Sequence, residues 1–221
     1  ALEMLLKGDP EILEIAFLTI KVSGAATLIS VLLGLPIGVF LALTMFPGRR
    51  LIVSVVNFGM GLPPVVVGLW VSIFLWRNGP LGFLHLMYTP VAMVIAQAVI
   101  ASPIVIGFTI AAIQQLNPKI RLQIMALGAT WWQSLLLMVR EARMGLLAAV
   151  MAGFGGVISE VGASSMVGGN IKGETSVLTT ATVLEVSKGN FDVAIAISLI
   201  LLALAYSVTL FLTYQQQKRP L

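Results

Sequence analysis

Cysteine is absent from this 221-residue chain, which excludes disulfide scaffolds, thiol nucleophiles and cysteine metal sites. Charge is scarce: 10% of residues are charged, against about 25% in a soluble domain. With 58% of residues hydrophobic and a mean hydropathy of +1.02, a water-soluble globule could not hide its apolar surface. Disorder is excluded by the same figures, because disordered chains are polar and highly charged. Histidine occurs once, as His85, and no Cys or carboxylate lies near it in sequence. Neither a metal site nor a Ser-His-Asp arrangement can be assembled from it. The formal charge of +4 comes without a basic stripe, which argues against a nucleic-acid partner. What remains is an integral membrane protein whose partner is the bilayer.

A transmembrane helix needs about 20 mostly apolar residues. Five stretches qualify: residues 12–46 (apolar from Val22 to Phe46), Leu51 to Trp76, Pro90 to Ile113, Gly145 to Met166, and Phe191 to Tyr214. They are too long for soluble strands and lack the alternation of a barrel. The first is too long for a cleavable signal and follows an acidic start. No soluble domain, linker or internal repeat is visible, so residues 1–221 read as one all-α, polytopic transmembrane domain. The chain begins at Ala1 and not at Met, so a little sequence is expected to precede it. A sixth helix is expected only if such residues, or the amphipathic start of span one, form a separate element.

Lys and Arg placement sets the orientation. Arg49, Arg50, Lys119, Arg121, Arg140, Arg143, Lys218 and Arg219, eight of the thirteen basic residues, fall on one side. Lys7, Lys21, Arg77, Lys172 and Lys188 fall on the other, with every acid except Glu141. The N-terminus is therefore expected outside and the C-terminus in the cytoplasm. Lys21, at the edge of span one, is read as snorkelling to the outer interface beside Thr19 and Ser23. The sharper alternative, an intramembrane ligand, is disfavoured because 25 apolar-rich residues follow it.

Residues 114–143 form the longest segment between spans on the basic side. Asn117-Pro118 is a helix start, Asn capping free N–H groups and Pro fitting the first helical position. Residues 119–128 then read as a short amphipathic helix with Gly128 at its end. Trp131 and Trp132 suit either a membrane interface or a partner-protein pocket.

This segment resembles the cytoplasmic coupling loop of ABC importer permeases, whose pattern is Glu-Ala-Ala, three residues, Gly, nine residues, Ile-x-Leu-Pro. Gly128 matches, followed by Ala129-Thr130, while the flanking positions read Leu122-Gln123-Ile124 and Met138-Val139-Arg140-Glu141. Other stretches resemble the molybdate and tungstate permease group: Leu62-Pro63-Pro64-Val65, Arg77-Asn78-Gly79-Pro80, Ala96-Gln97 through Ser102-Pro103, and Ser159-Glu160-Val161-Gly162 through Ile171. Gly59-Met60-Gly61, Leu178-Thr179-Thr180-Ala181 and Glu185 through Phe191 look most like the tungstate branch.

The resemblance implies a type I ABC importer permease fold and a subunit that moves a tetrahedral oxyanion inward by alternating access. Tungstate leads, with molybdate or sulfate as alternatives. It also implies a homodimer, an ABC ATPase partner and an extracytoplasmic binding protein. The chain has no Gly-x-x-x-x-Gly-Lys-Ser/Thr loop, so it is expected not to be an enzyme by itself. ATP and Mg would belong to the ATPase, and no cofactor or metal is expected in this chain. Asn117, Lys119, Arg121, Gln123, Gly128, Ala129, Thr130 and Trp131 are the expected ATPase contacts.

Pro63-Pro64 breaks span two and Pro103, less sharply, span three, freeing backbone groups that must line a cavity or be satisfied otherwise. Ser102, Thr109, Ser159, Ser164 and Ser165 could offer neutral donors to an oxyanion, or else bond helix to helix. Gly153, Gly155, Gly156 and Gly162 read as close helix packing; no strand or Lys-Ser/Thr supports a phosphate cradle there. Glu160 would repel an anion, so it is read as pairing with a cation or capping a backbone turn. An ion-driven secondary transporter or an intramembrane enzyme would need midplane charges that the spans lack.

Overall fold

The computed structural model of the chain describes residues 10–217, except the side chains of Pro118, Arg121 and Leu122. Lys7, Lys218 and Arg219, used above for orientation, lie outside the described residues. Among those described there are ten α-helices and no strand. They are α1 (Pro10–Leu43), α2 (Arg49–Met60), α3 (Pro64–Leu75), α4 (Pro90–Gln114), α5 (Pro118–Ala126), α6 (Trp131–Glu141), α7 (Arg143–Ile158), α8 (Gly162–Gly168), α9 (Leu178–Ser187) and α10 (Phe191–Gln217). A 3-10 turn, Gly82–Leu84, precedes α4.

Three helices, α1, α4 and α10, are each long and apolar enough to cross a bilayer. The second and fourth expected spans are bent pairs: α2 and α3 meet at 104°, α7 and α8 at 56°. Five spans result only if each pair counts as one. The first bend follows from sequence. Pro63 and Pro64 cannot continue a helix, and Pro64 opens α3 at its first position. Pro103 behaves differently from expectation, because α4 runs through it unbroken. Nearby, Ser102 Oγ donates to Ala98 O at 2.6 Å, and Ser30 Oγ reaches the same carbonyl at 3.3 Å. These hydroxyls serve the carbonyl next to Val99 O, the one from which Pro103 withholds an N–H.

Helix α4 is the axis around which the bundle closes, and glycines set how near its neighbours come. A Cβ added to Gly34 of α1 would lie 2.7 Å from Val105 Cγ1, and one on Gly38 2.6 Å from Thr109 Cβ. From the other side, a Cβ on Gly153 of α7 would lie 2.6 Å from Val105 Cγ2, and one on Gly145 2.5 Å from Ala112 Cβ. Gly59 of α2 would meet Pro103 at 2.9 Å. Such small contacts let helices pack where no hydrophobic effect drives them together. The outer faces reverse the soluble pattern: Leu202, Phe211 and Tyr214 of α10 are each about 60% exposed or more, which suits lipid.

Gly38→Leu is expected to destabilise the permease in detergent by about 1–3 kcal/mol, the cost of overpacking. Thermal unfolding measures it. Gly24→Leu on the same helix, where an added Cβ meets nothing within 4 Å, should leave the midpoint within about 0.5 kcal/mol of wild type.

Candidate functional site

The two bent spans lie against each other. A Cβ on Gly68 of α3 would come 2.7 Å from Ala163 Cα, and one on Gly162 of α8 2.8 Å from Val65 Cγ2. Pro103 joins them through Gly59. The structure therefore brings Pro63, Pro64, Pro103 and Gly162 to one region. Gly156 would touch Ile104 Cδ1 at 3.1 Å, whereas Gly155 faces open space.

The break between α7 and α8 leaves helix-end N–H and C=O groups inside apolar surroundings, where each must find a partner. Glu160, only 6% exposed, supplies one: its Oε1 accepts from Ala163 N at 2.7 Å. Thr179 Oγ1 donates back to Glu160 O at 2.9 Å. Glu160 thus caps a backbone turn at the start of α8. Threonines continue the pattern. Thr175 Oγ1 donates to Gly168 O at 2.6 Å, and Thr180 Oγ1 accepts from Val177 N at 3.1 Å. Thr19 Oγ1 of α1 accepts from Leu178 N at 2.9 Å, tying the start of α9 to span one.

The serines have nearer partners than a passing ligand. Ser102 and Ser159 donate to carbonyls four residues back in their own helices, at 2.6 and 2.8 Å. Ser164 is fully buried and accepts from Gln97 Nε2 of α4 at 2.9 Å. Ser165 is half-buried on α8. Sequence reasoning quoted Gln97 within a motif but missed it as a site residue. A lone amide in an apolar span is the signal that could have found it. Its Oε1 is buried without a partner among the described residues, as is Thr109 Oγ1.

At the other end of the bundle, α5 and α6 form a short helical hairpin. Asn117 Oδ1 caps α5 by accepting from Lys119 N at 2.9 Å. Gly128 ends it with φ +78°, a left-handed conformation that side chains resist. Thr130 and Gln133 then close a reciprocal capping box on α6. Ile124, Leu135 and Met138 pack under the hairpin against Val39 and Ile113 of α1 and α4. Its other face is bare: Leu127 is 87% exposed, Trp132 72% and Trp131 58%. The two indoles meet edge to face, centroids 4.6 Å apart. Lys119, Gln123 and Thr130 are exposed beside them and Ala129 half-buried, while the side chain of Arg121 lies outside the described residues. An apolar, aromatic patch rimmed by polar residues, on a hairpin capped at each turn, has the composition of a surface that meets either a partner protein or a membrane interface.

On the Lys21 side, Lys172 Nζ pairs with Glu11 Oε1 at 2.7 Å and Lys188 Nζ with Glu185 Oε1 at 2.7 Å. Lys188, and after it Asn190, hold the Glu185 carboxyl below the usual carboxylate range. The latch they form after α9 is ionised at neutral pH and loosens only as pH falls through that depressed value. Lys21 is exposed, its Nζ 4.3 Å from the Phe17 ring centroid. His85 is exposed with φ 50° at the end of the 3-10 turn.

Helices long and apolar enough to cross a bilayer, with two bent pairs packed against each other, mark a polytopic membrane protein. Residues 34–219 match the binding-protein-dependent transport system inner membrane component family, and the chain belongs to that family. It is 40% identical over 94% of its length to the tungstate uptake system permease protein TupB of Peptoclostridium acidaminophilum, covering 91% of that protein. It is 34% identical to the Campylobacter jejuni protein of the same name, over 78% of this chain and 72% of that one. The fold is that of a solved amino acid ABC transporter crystallised with histidines: TM-score 0.74, 22% identity, covering 99% of this chain and 98% of the other. As an inner-membrane permease subunit the chain is not an enzyme by itself.

Glu160→Gln keeps an oxygen for Ala163 N, whereas Glu160→Ala leaves that donor unpaired. The expected cost of the alanine variant is about 1–3 kcal/mol in thermal unfolding, with the glutamine variant nearer wild type.

Proposed function

We propose that the chain is the membrane subunit of an ATP-driven importer that carries a tetrahedral oxyanion, tungstate foremost, into the cytoplasm. The observation that carries this reading is the 40% identity, over 94% of the chain, with a tungstate uptake permease. In this reading two copies enclose the path, and an extracytoplasmic binding protein delivers the anion to the Lys21 side. ATP and Mg reside on a separate ATPase, since this chain lacks a phosphate loop. The N-terminus is outside and the C-terminus cytoplasmic, which puts Arg49, Arg50, Lys119, Arg140 and Arg143 inside.

The hairpin at 114–143 is the ATPase contact. Asn117, Lys119, Arg121, Gln123, Gly128, Ala129, Thr130 and Trp131 form its docking face, and α6 passes force to the ends of α1 and α4. The path runs past Pro63, Pro64, Ser102, Pro103, Ser159, Ser164 and Ser165. Gly153, Gly155, Gly156 and Gly162 let the helices beside it approach closely. No Lys or Arg stands within the described core of the spans, so a dianion passes neutral donors that bind it weakly enough to release it.

Vesicles containing the permease, its ATPase and its binding protein should take up tungstate on addition of ATP. Uptake of molybdate or sulfate but not tungstate would displace the substrate assignment, and uptake without any ATPase would displace the class. Gly128 separates strain from docking, because a Cβ there meets nothing within 4 Å. Gly128→Ala and Gly128→Leu should cost the isolated permease a similar ~1–2 kcal/mol. Only the leucine variant should also weaken binding of the ATPase, measured by co-purification.

A further inference from the structure

The Arg77-Asn78-Gly79-Pro80 motif and the lone His85 take no part in the hairpin or in the bent spans, yet the fold brings them together. The chain after α3 winds back over that helix's end: Leu81 N donates to Phe74 O at 2.9 Å and Gly79 N to Trp76 O at 2.7 Å. A Cβ on Gly79 or Gly82 would strike the carbonyl oxygens of Ile73 or Trp76, so the turn needs glycine there. At the far end of the loop, Tyr88 N donates to Val167 O of α8 at 2.9 Å.

Between these anchors opens a cavity of about 230 Å³ whose polar walls are Trp76, Arg77, His85 and Tyr88. The indole and phenol rings meet edge to face, centroids 6.3 Å apart. Each of the four side chains carries a donor: an indole N–H, a guanidinium, an imidazole N–H and a phenol O–H. None of these side chains hydrogen-bonds to a described residue, and no carboxylate lines the cavity. All four are exposed, so a ligand reaches them without any opening of the bundle.

The backbone points the same way. His85 and Tyr88 hold left-handed conformations, φ 50° and 62°, which side chains resist and which gather where ligands are clamped. Elsewhere the chain places glycine at such positions, as at Gly48, Gly128 and Gly189. Glycine would close this loop at less cost. What an imidazole and a phenol add is donors on the cavity wall. Four donors, one of them permanently cationic, suit an anion that accepts on several sides, and a guanidinium pairs two oxygens at once. At about 30 Å³ per water the space holds roughly seven waters, enough for a tetrahedral anion and part of its hydration shell. The cavity lies where α3 ends and α4 begins, the level at which headgroups and water meet the spans.

We propose that this cavity is a binding site for a tetrahedral oxyanion, either a free ion such as tungstate or sulfate or the phosphate of a lipid headgroup. Arg77 grips two oxygens, and His85 and Tyr88 donate to the others. The site stands apart from the transport reading, because a permease that imported another solute would keep it.

The full-length permease, in detergent free of phospholipid, is titrated with sodium tungstate and with sodium sulfate while tryptophan emission is followed. A saturable response is expected, and Trp76→Phe should remove it. Arg77→Gln should weaken binding about tenfold, the loss of a charge-assisted paired contact. Its thermal midpoint should not move, because the replaced side chain bonds to no described residue. His85→Gly separates site from scaffold: it relieves the left-handed backbone, so the midpoint should hold or rise while binding weakens. In a second arm the permease is re-extracted from nanodiscs containing phosphatidylglycerol, and retained lipid is counted by native mass spectrometry. A saturable response in the first arm makes a free ion the ligand. Lipid retained by wild type and lost in Arg77→Gln, with no response in the first arm, makes it a headgroup phosphate. A response that sodium chloride reproduces at equal ionic strength overturns the proposal. So does binding that neither Arg77→Gln nor His85→Gly alters in either arm.

Discussion

Every backbone polar group in an apolar bundle must find its partner within the protein, and the two bent spans are where that demand is hardest to meet. A continuous helix satisfies itself. A helix broken at Val161 does not, and the surroundings of the break are organised around the deficit. Glu160 turns its carboxylate back onto Ala163 N, and Thr179 reaches across to Glu160 O. Thr175 and Thr180 serve the loop that follows, and Thr19 of span one holds the first amide of α9. The threonine-rich stretch at 175–182 is therefore a supplier of hydrogen bonds to bent backbone. Under the proposed function, Glu160 stands beside the route as a capping residue, its Oε1 occupied by Ala163 N.

Helix α4 runs unbroken past its proline while the two spans with bent pairs pack beside it. In this helix Pro103 withholds the N–H that would reach Val99 O, while the Ser102 and Ser30 hydroxyls donate to the neighbouring Ala98 O. Glycines on both flanks then let α1 and α7 close directly on it. Under the proposed function, force applied to the hairpin would reach this axis by a short route, since Ile124, Leu135 and Met138 rest on residues of α1 and α4. The hairpin's turns are fixed by Asn117, Gly128 and Thr130.

Much of this was legible in the sequence, and the misses share a cause. Apolar length located α1, α4 and α10 to within a few residues, because span length is a property of single helices. Asn117-Pro118 and Gly128 marked the hairpin for the same local reason. Pro63-Pro64 announced a break but not its angle, which depends on what α3 packs against. The α7–α8 bend carries no proline at all and arises from Glu160 and its partners, contacts 19 residues apart in the case of Thr179. Gln97 escaped notice because its meaning lies in Ser164, 67 residues away. Pairings across the fold are invisible to a reading of local pattern.

The chain's poverty in charge acquires its sense from these contacts. Hydroxyls that seemed available to an oxyanion are in several cases committed: Ser102 and Ser159 to their own helices, Ser164 to Gln97. Under the proposed function, a dianion in transit meets few groups that could hold it, and those few must first leave an existing bond. Gln97 Oε1 and Thr109 Oγ1 are buried without partners among the described residues, a situation that costs about 1–3 kcal/mol for each such group. Two arrangements of comparable energy are what alternating access requires, and an imperfectly satisfied pair is one physical means of keeping neither state too deep.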